Sequence, residues 1–177
     1  MARNFQVMRD GVVALALLAF LWLIAAKLNG EAQTAYTGRF HAADGDSLAI
    51  GDERMRLKNI DAPELGQTCE RDGRQWACGR QAKETLQALV DTRDTKCEGH
   101  ERDRFQRRLV VCKAGGTDIN GTMVRQGFAV AYGGYGAEEA QARAEKAGMW
   151  AGHFEMPRDV RDREHGARPE TRKLFGW

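Results

Sequence analysis

The chain has 177 residues, 42% hydrophobic and 29% charged, with a formal net charge of +2. That length fits one compact domain with appendages, and the composition excludes a disordered chain, a collagen and a polytopic membrane protein. A charge of +2 is too small to argue for a nucleic-acid partner, so any basic footprint must come from where the arginines sit. Three prolines and no low-complexity tract exclude a long proline-rich linker, and no repeat recurs at solenoid periods.

The N-terminus is set apart by its hydropathy. Arg3 and Arg9 precede an uncharged run at 11–26, and Lys27 follows it. Those sixteen residues rise about 24 Å as a helix, against a hydrocarbon core of about 30 Å. The run is marginal for a membrane span and ample for the apolar part of a signal peptide. Gly30-Glu31-Ala32 offers a small-x-small site for cleavage after Ala32. The basic start fits a cytoplasmic N-terminus. The expected division is a basic leader at 1–10, a signal anchor or cleaved signal at 11–26, a linker at 27–36, a folded domain at 37–152 and a mixed-charge tail at 153–177. Anchor and cleaved signal both deliver the remainder to the periplasmic or extracellular side. The anchor would add a membrane contact through the helix.

The predicted elements follow in chain order. Residues 36–42 form a first strand, and Asp44-Gly45 turns into a second at 47–50. After Gly51-Asp52, residues 53–60 alternate with period two. Met55 and Leu57 take a buried face, and Arg54, Arg56 and Lys58 an exposed basic one. Ala82, Leu86, Leu89 and Val90 repeat at helical spacing within 81–90. Residues 94–97 and 108–112 form a hairpin centred near Arg104-Phe105. Asp118 caps a helix over 119–125, with Gly127 just past its end. Residues 136–148 form another helix, and beyond Trp150 periodicity is lost. Arg158, Arg161, Arg163, Arg168, Arg172 and Lys173 alternate with Asp159, Asp162, Glu164 and Glu170, as in a solvated, loosely ordered tail. The expected fold is α+β: a five-stranded OB-type β-barrel with about three flanking helices, preceded by one N-terminal hydrophobic helix.

Four cysteines, Cys69, Cys78, Cys97 and Cys112, form no Cys-x-x-Cys and no zinc-type set with histidine. An even number in an exported chain points to two disulfides, whereas a cytoplasmic location would favour four buried thiols. Of the three possible pairings, the hairpin favours one. It sets Cys97 opposite Cys112, where Cβ atoms lie about 4.5–5.5 Å apart. Cys69 and Cys78 then close the loop between them.

Chemistry concentrates at three places. Asp44-Gly45-Asp46-Ser47 forms a tight turn. In Ile60-Asp61-Ala62-Pro63-Glu64, Pro63 forces Ala62 into an extended conformation and projects Asp61 and Glu64 from a rigid turn. Residues 102–108 carry four arginines. Asp46 and Asp61 suit one hard divalent cation, such as Ca²⁺ or Mg²⁺. Glu64 suits the orientation or deprotonation of a water. Two arginines suit a phosphate and the charge that grows on it. Together these groups are what metal-assisted phosphodiester hydrolysis requires. No His-Glu-x-x-His, phosphate-loop Gly-x-x-x-x-Gly-Lys-Ser/Thr or Gly-x-Ser-x-Gly occurs.

In order, Asp-Gly-Asp-Ser, Arg-Leu-x-x-Ile-Asp-Ala-Pro-Glu, Arg-Asp-Arg-Phe-x-Arg and Val-Arg-Gln-Gly-Phe-Ala resemble the thermonuclease family, whose best-known member is staphylococcal nuclease. The likeness runs over about 37–150. It implies an OB barrel with helices and a Ca²⁺-dependent endonuclease that cuts DNA and RNA to leave 3′-phosphates. It implies that Asp46, Asp61 and the Ala62 carbonyl are metal ligands, that Glu64 is the general base or water-positioning group, and that Arg56 and Arg107 clamp the phosphate. Arg104 and Phe105 belong to the same arginine-rich motif and are candidate substrate contacts. Tyr132 and Tyr135 either stack on a base or pack against the barrel. Arg108 competes with Arg107 for the clamp, with motif position favouring Arg107. Ser47 stands where threonine is common, and Ala62 where staphylococcal nuclease has threonine. Gln106 stands where the family often has glycine, which permits a positive-φ turn and so bears on how Arg107 is presented. The expected enzyme is a monomeric calcium-dependent endonuclease. The alternative is an OB module that binds nucleic acid without cutting it, although three clustered carboxylates would repel such a ligand.

Overall fold

The computed structural model describes residues 2–28, 34–92 and 94–167. The proposed cleavage site at 30–32 and the tail from 168 onward lie outside them. The chain divides into two units, 1–33 and 34–177. The first contains one helix, α1 (Ala2–Leu28). No helix among the described residues is long and apolar enough to cross a membrane. This corrects the transmembrane reading: α1 has 27 residues, but its apolar run is only the sixteen at 11–26, between Arg9 and Lys27.

The second unit is α+β. Its strands begin with β1 (Thr34–Thr37), β2 (His41–Ala42), β3 (Ser47–Ile50), β4 (Glu53–Leu57) and β5 (Ile60–Asp61). A small hairpin, β6 (Cys69–Arg71) and β7 (Arg74–Trp76), leads into α2 (Cys78–Val90). Next come β8 (Lys96–Gly99), β9 (Arg108–Ala114), β10 (Thr117–Asp118), α3 (Ile119–Arg125) and β11 (Val130–Ala131). α4 (Gly136–Ala144), a 3₁₀ turn (Gly148–Ala151) and α5 (Pro157–Ala167) complete the described chain. The main sheet has seven strands in the order β1-β8-β9-β4-β3-β2, with β10 also on β9. Its β4–β9 pair is parallel, and the sheet curls into a half-barrel consistent with the OB-like expectation. The five-strand expectation is corrected. The first strand breaks at Gly38 (φ +139°), so that β1 pairs with β8 and β2 with β3. The strand expected at 53–60 breaks at Asn59 (φ +66°), so that β5 pairs with β11.

The core lies between the sheet, α2 and α3. Phe40, Leu48, Met55, Leu57, Leu86, Val110, Ile119 and Met123 are fully buried there. Full burial of such side chains is worth about 1.5–3 kcal/mol each. Asn120 is buried among them. Its Oδ1 accepts from the Cys112 amide, and its Nδ2 donates to the Lys58 and Val110 carbonyls, all at 3.1 Å. Asn120 thus ties α3 to the turn that delivers Asp61. Asp118 caps α3 by accepting from the Gly121 amide at 3.1 Å, and Gly127 takes φ +71° beyond its end. A second cluster gathers Cys69, Cys78, Val130 and Met149 under Trp76, Trp150 and Phe154.

Cys97 and Cys112 face each other across β8 and β9 with Cα atoms 4.0 Å apart and are joined as a disulfide. Cys69 and Cys78 form the other, so the pairing is the one the hairpin favoured. The Cys97–Cys112 bridge spans 15 residues, and replacing both cysteines with alanine should lower unfolding stability by about 2–4 kcal/mol. A urea titration of the oxidised parent against the double variant measures the difference.

Candidate active site

The site begins with strand register. β3 pairs with β4 so that Ser47 stands beside Arg56, which places Asp46, one residue before the strand, next to the guanidinium. The chain then turns at Lys58-Asn59 and brings Asp61 to the second terminal nitrogen of Arg56. Arg56 Nη1 donates to Asp46 Oδ1 at 2.7 Å, and Nη2 donates to Asp61 Oδ1 at 2.6 Å. Asp46 Oδ1 also accepts from Ser47 Oγ, and its Oδ2 from the Ala62 amide. The basic face expected for β4 is therefore corrected. Arg54 is exposed, but Arg56 is only 8% exposed because two carboxylates neutralise it inside the fold.

Burial pushes the Asp46 carboxyl up to about 7, with Asp44 and Asp61 adding to the rise and Arg56 and the Ala62 amide opposing it. For Arg56, burial works against the charge, but Asp46 and Asp61 outweigh it and raise the pKa. The Tyr132 hydroxyl also contributes there.

Glu64 sits past Pro63 on a turn closed from Gln67 N–H to the Glu64 carbonyl at 2.8 Å. A Cβ on Gly79 would lie 1.8 Å from that carbonyl, so only glycine lets the start of α2 approach this turn. Arg107 comes from the loop between β8 and β9. Its Nε donates to Asp103 Oδ2 at 2.8 Å, and its Nη1 reaches Ser47 Oγ at 3.4 Å, beside Asp46. Arg108 turns elsewhere, donating to the His100 carbonyl at 2.9 Å. Gln106 adopts φ +64°, the positive-φ turn that a glycine there would permit. Asp103 Oδ1 supports it by accepting from the Phe105 and Arg107 amides, and Arg102 donates to the Gln106 carbonyl. Glutamine thus presents Arg107 at the cost of some left-handed backbone strain.

An open cavity of about 730 Å³ unites these groups. Asp46, Arg56, Ala62, Glu64, Arg104, Phe105, Arg107 and Tyr132 all line it. Asp61 lines an adjoining cavity of about 480 Å³ that shares Arg56, Tyr132 and Arg161. Phe105 is exposed, with the Arg104 and Arg107 guanidiniums 4.7 and 5.5 Å from its ring centre. Tyr135 lines neither cavity. It is half-buried against the core, and its hydroxyl donates to Asp118 Oδ2 at 3.0 Å.

Sequence reasoning missed Arg161. The segment expected to be a loose tail is helical in α5, Val160 is buried, and Arg161 reaches the site. Its Nε donates to Glu64 Oε1 at 2.5 Å and its Nη2 to Asp61 Oδ1 at 2.8 Å. The available signal was Pro157 as a helix start, followed by Asp159 and the single apolar Val160.

In kind, two carboxylates and the Ala62 carbonyl match the donors a hard cation takes. As arranged, guanidiniums engage both carboxylates, and among the described residues no group of three or more His, Cys, Asp or Glu is set to hold a metal ion.

This α+β fold brings carboxylates and arginines together around one open cavity. A family model described as "Staphylococcal nuclease homologue" matches residues 54–152. An uncharacterized endonuclease of Haemophilus influenzae is 33% identical over 147 residues, 76% of this chain and 78% of that protein. The micrococcal nuclease of Shigella flexneri is 33% identical over 129 residues, 61% of this chain and 69% of that one. The succinoglycan biosynthesis protein ExoI of Rhizobium meliloti is 34% identical over 121 residues, 64% of this chain but only 63% of that relative's length. The chain belongs to the staphylococcal nuclease family.

Two stability measurements probe this site. Arg56→Ala leaves the buried Asp46 without its cation, while Asp61 keeps Arg161, and should destabilise the fold by about 3–5 kcal/mol, read by urea denaturation at neutral pH. Gln106→Gly should leave the fold intact or raise its stability by up to about 1 kcal/mol, because glycine adopts positive φ without a Cβ penalty. Thermal melts distinguish that from a loss.

Proposed function

We propose that the protein is an exported endonuclease that hydrolyses phosphodiester bonds of DNA, RNA or both, with Ca²⁺ as its cation. The carrying observation is the convergence of Arg56, Glu64 and Arg107 on one open cavity beside the buried Asp46. Membership of a nuclease family and endonuclease-named relatives support the same reading.

In this reading Arg56 and Arg107 bind the scissile phosphate from two sides and neutralise charge as the phosphorus becomes five-coordinate. Asp103 holds Arg107 for that task, as Asp46 and Asp61 hold Arg56. Glu64 accepts a proton from the attacking water. Arg161 engages its Oε1, and among the described residues no hydrogen bond reaches its Oε2. The water oxygen forms a bond to phosphorus, and the P–O5′ bond breaks to leave a 3′-phosphate and a 5′-oxygen that takes a proton from solvent to become the 5′-hydroxyl. Asp46, Asp61 and the Ala62 carbonyl would hold the calcium ion, which when bound would supply electrophilic pull on a non-bridging phosphate oxygen. Tyr132 and Phe105, both exposed at the cavity, supply aromatic surface for bases. Two disulfides and the apolar run at 11–26 support export, to the periplasmic or extracellular side. A binding-only module is the second reading, favoured by the guanidiniums that engage the carboxylates.

Cleavage of single-stranded and duplex DNA with calcium, with magnesium and with chelator tests the proposal. Glu64→Gln should cut about 10²–10⁴-fold more slowly while binding DNA as the parent does. Unchanged cutting by that folded variant at saturating calcium would sink the proposed role of Glu64. Binding without cleavage by the parent would select the binding module.

A further inference from the structure

We infer that the C-terminal segment completes the catalytic centre, with Arg161 as a positioning residue that fixes Glu64 against Asp61. This rests on the nuclease reading for its functional consequence but not for its geometry.

Three separate contacts run from residues 153–161 to residues 61–70. His153 and Glu70 exchange backbone hydrogen bonds at 2.8 and 2.9 Å. Gln67 Nε2 donates to the Glu155 carbonyl at 2.8 Å, while Gln67 Oε1 accepts from the Glu64 amide at 3.2 Å. Arg161 then joins the Glu64 and Asp61 carboxylates through two donors of one planar guanidinium. These contacts act on the backbone after Glu64, on its own amide through Gln67, and on its side chain. Gln67 is buried, so its amide links the Glu64 turn to the C-terminal segment in a place closed to water.

The energetics favour a positioning role. Glu64 is a mobile side-chain type on a turn, and its side chain is 27% exposed. The Arg161 side chain is 25% exposed, so its pairs are more shielded than surface ion pairs. Burial opposes the Arg161 charge, but its hydrogen bonds and charge pairing with Asp61 and Glu64 raise its pKa overall. Its fork fixes both the distance and the direction of the Glu64 carboxylate, which a point charge would not. Arg56 and Arg161 share Asp61 Oδ1, so the orientation of Glu64 is referred through Asp61 to the phosphate-binding arginine.

The test compares Arg161→Gln and Arg161→Lys with the parent full chain, using steady-state cleavage of DNA and amide hydrogen exchange in the absence of added metal. Arg161→Gln should lower kcat about 10–10²-fold with KM within about twofold, as expected when a catalytic group loses its support. Arg161→Lys should recover part of the loss. Exchange at the Glu64 and Gln67 amides should quicken about tenfold or more in Arg161→Gln, with β3 and β4 unchanged. An unaltered or increased kcat, or a change confined to KM, overturns the assignment, the last by making Arg161 a substrate contact. Unaltered exchange at the Glu64 turn overturns it too. If the parent cuts no nucleic acid, the proposed function falls, while the exchange measurement still decides whether Arg161 fixes Glu64.

Discussion

A buried guanidinium held between two carboxylates is the constraint around which this site is built. Moving Arg56 out of water is unfavourable, and it is tolerated because Asp46 and Asp61 each accept one of its N–H groups at under 3 Å. That requirement reaches outward. Asp46 must lie one residue before β3, so the Asp44-Gly45 turn must be tight. A Cβ on Gly45 would meet the Ala62 and Ala82 side chains at 2.7 Å, which ties the turn to both the Asp61 strand and α2. Asp61 must return five residues after Arg56, and Asn120 holds the carbonyl of Lys58 in the turn between them. Replacing a buried ion cluster by apolar residues of like volume is often neutral or stabilising in proteins. The polar triad instead fixes one arrangement of charges at the end of the sheet.

The sequence made some of this legible and hid the rest for identifiable reasons. Asp118 as cap, Gly127 as stop and Cys97 opposite Cys112 were readable because each depends on local geometry or on one hairpin register. The proximity of Asp46, Asp61 and Glu64 came from motif spacing. The burial of Arg56 did not, because period-two alternation assigns faces without knowing that a face can be closed by its own counter-charges. The breaks at Gly38 and Asn59 were missed for a related reason. Both lie inside runs of strand-forming residues, and only the change of pairing partner reveals them.

Gln106 shows how a local rule can be satisfied by a neighbour. Left-handed backbone favours glycine because it lacks a Cβ, yet the strain on another residue is modest and can be offset by hydrogen bonds. Here one carboxylate does so. Asp103 Oδ1 accepts the two amides that flank Gln106, and Oδ2 accepts from the Arg107 side chain. Burial opposes the Asp103 charge, but these bonds hold its carboxyl below the usual range. The residue that shapes the turn therefore also aims the arginine, and the two tasks cannot be separated by mutation at position 103.

The C-terminal helix was hardest to see because six of its eleven residues are charged and almost none is a large apolar residue. Between Pro157 and Ala167 the apolar signal reduces to Val160, so hydrophobic periodicity has nothing to count. Such a segment docks by charge and hydrogen bonding, with Arg161 on one side of the Glu64 turn and the Glu155 carbonyl on the other. The Cys69–Cys78 bridge restrains the same stretch further along the chain, just after Gln67 and at the start of α2. The turn that carries Glu64 is thus bounded by covalent, backbone and ionic restraints from separate elements. A short surface turn has few apolar contacts of its own and would otherwise sample many conformations. These restraints limit that freedom before any substrate arrives, as the catalytic role proposed for Glu64 would require.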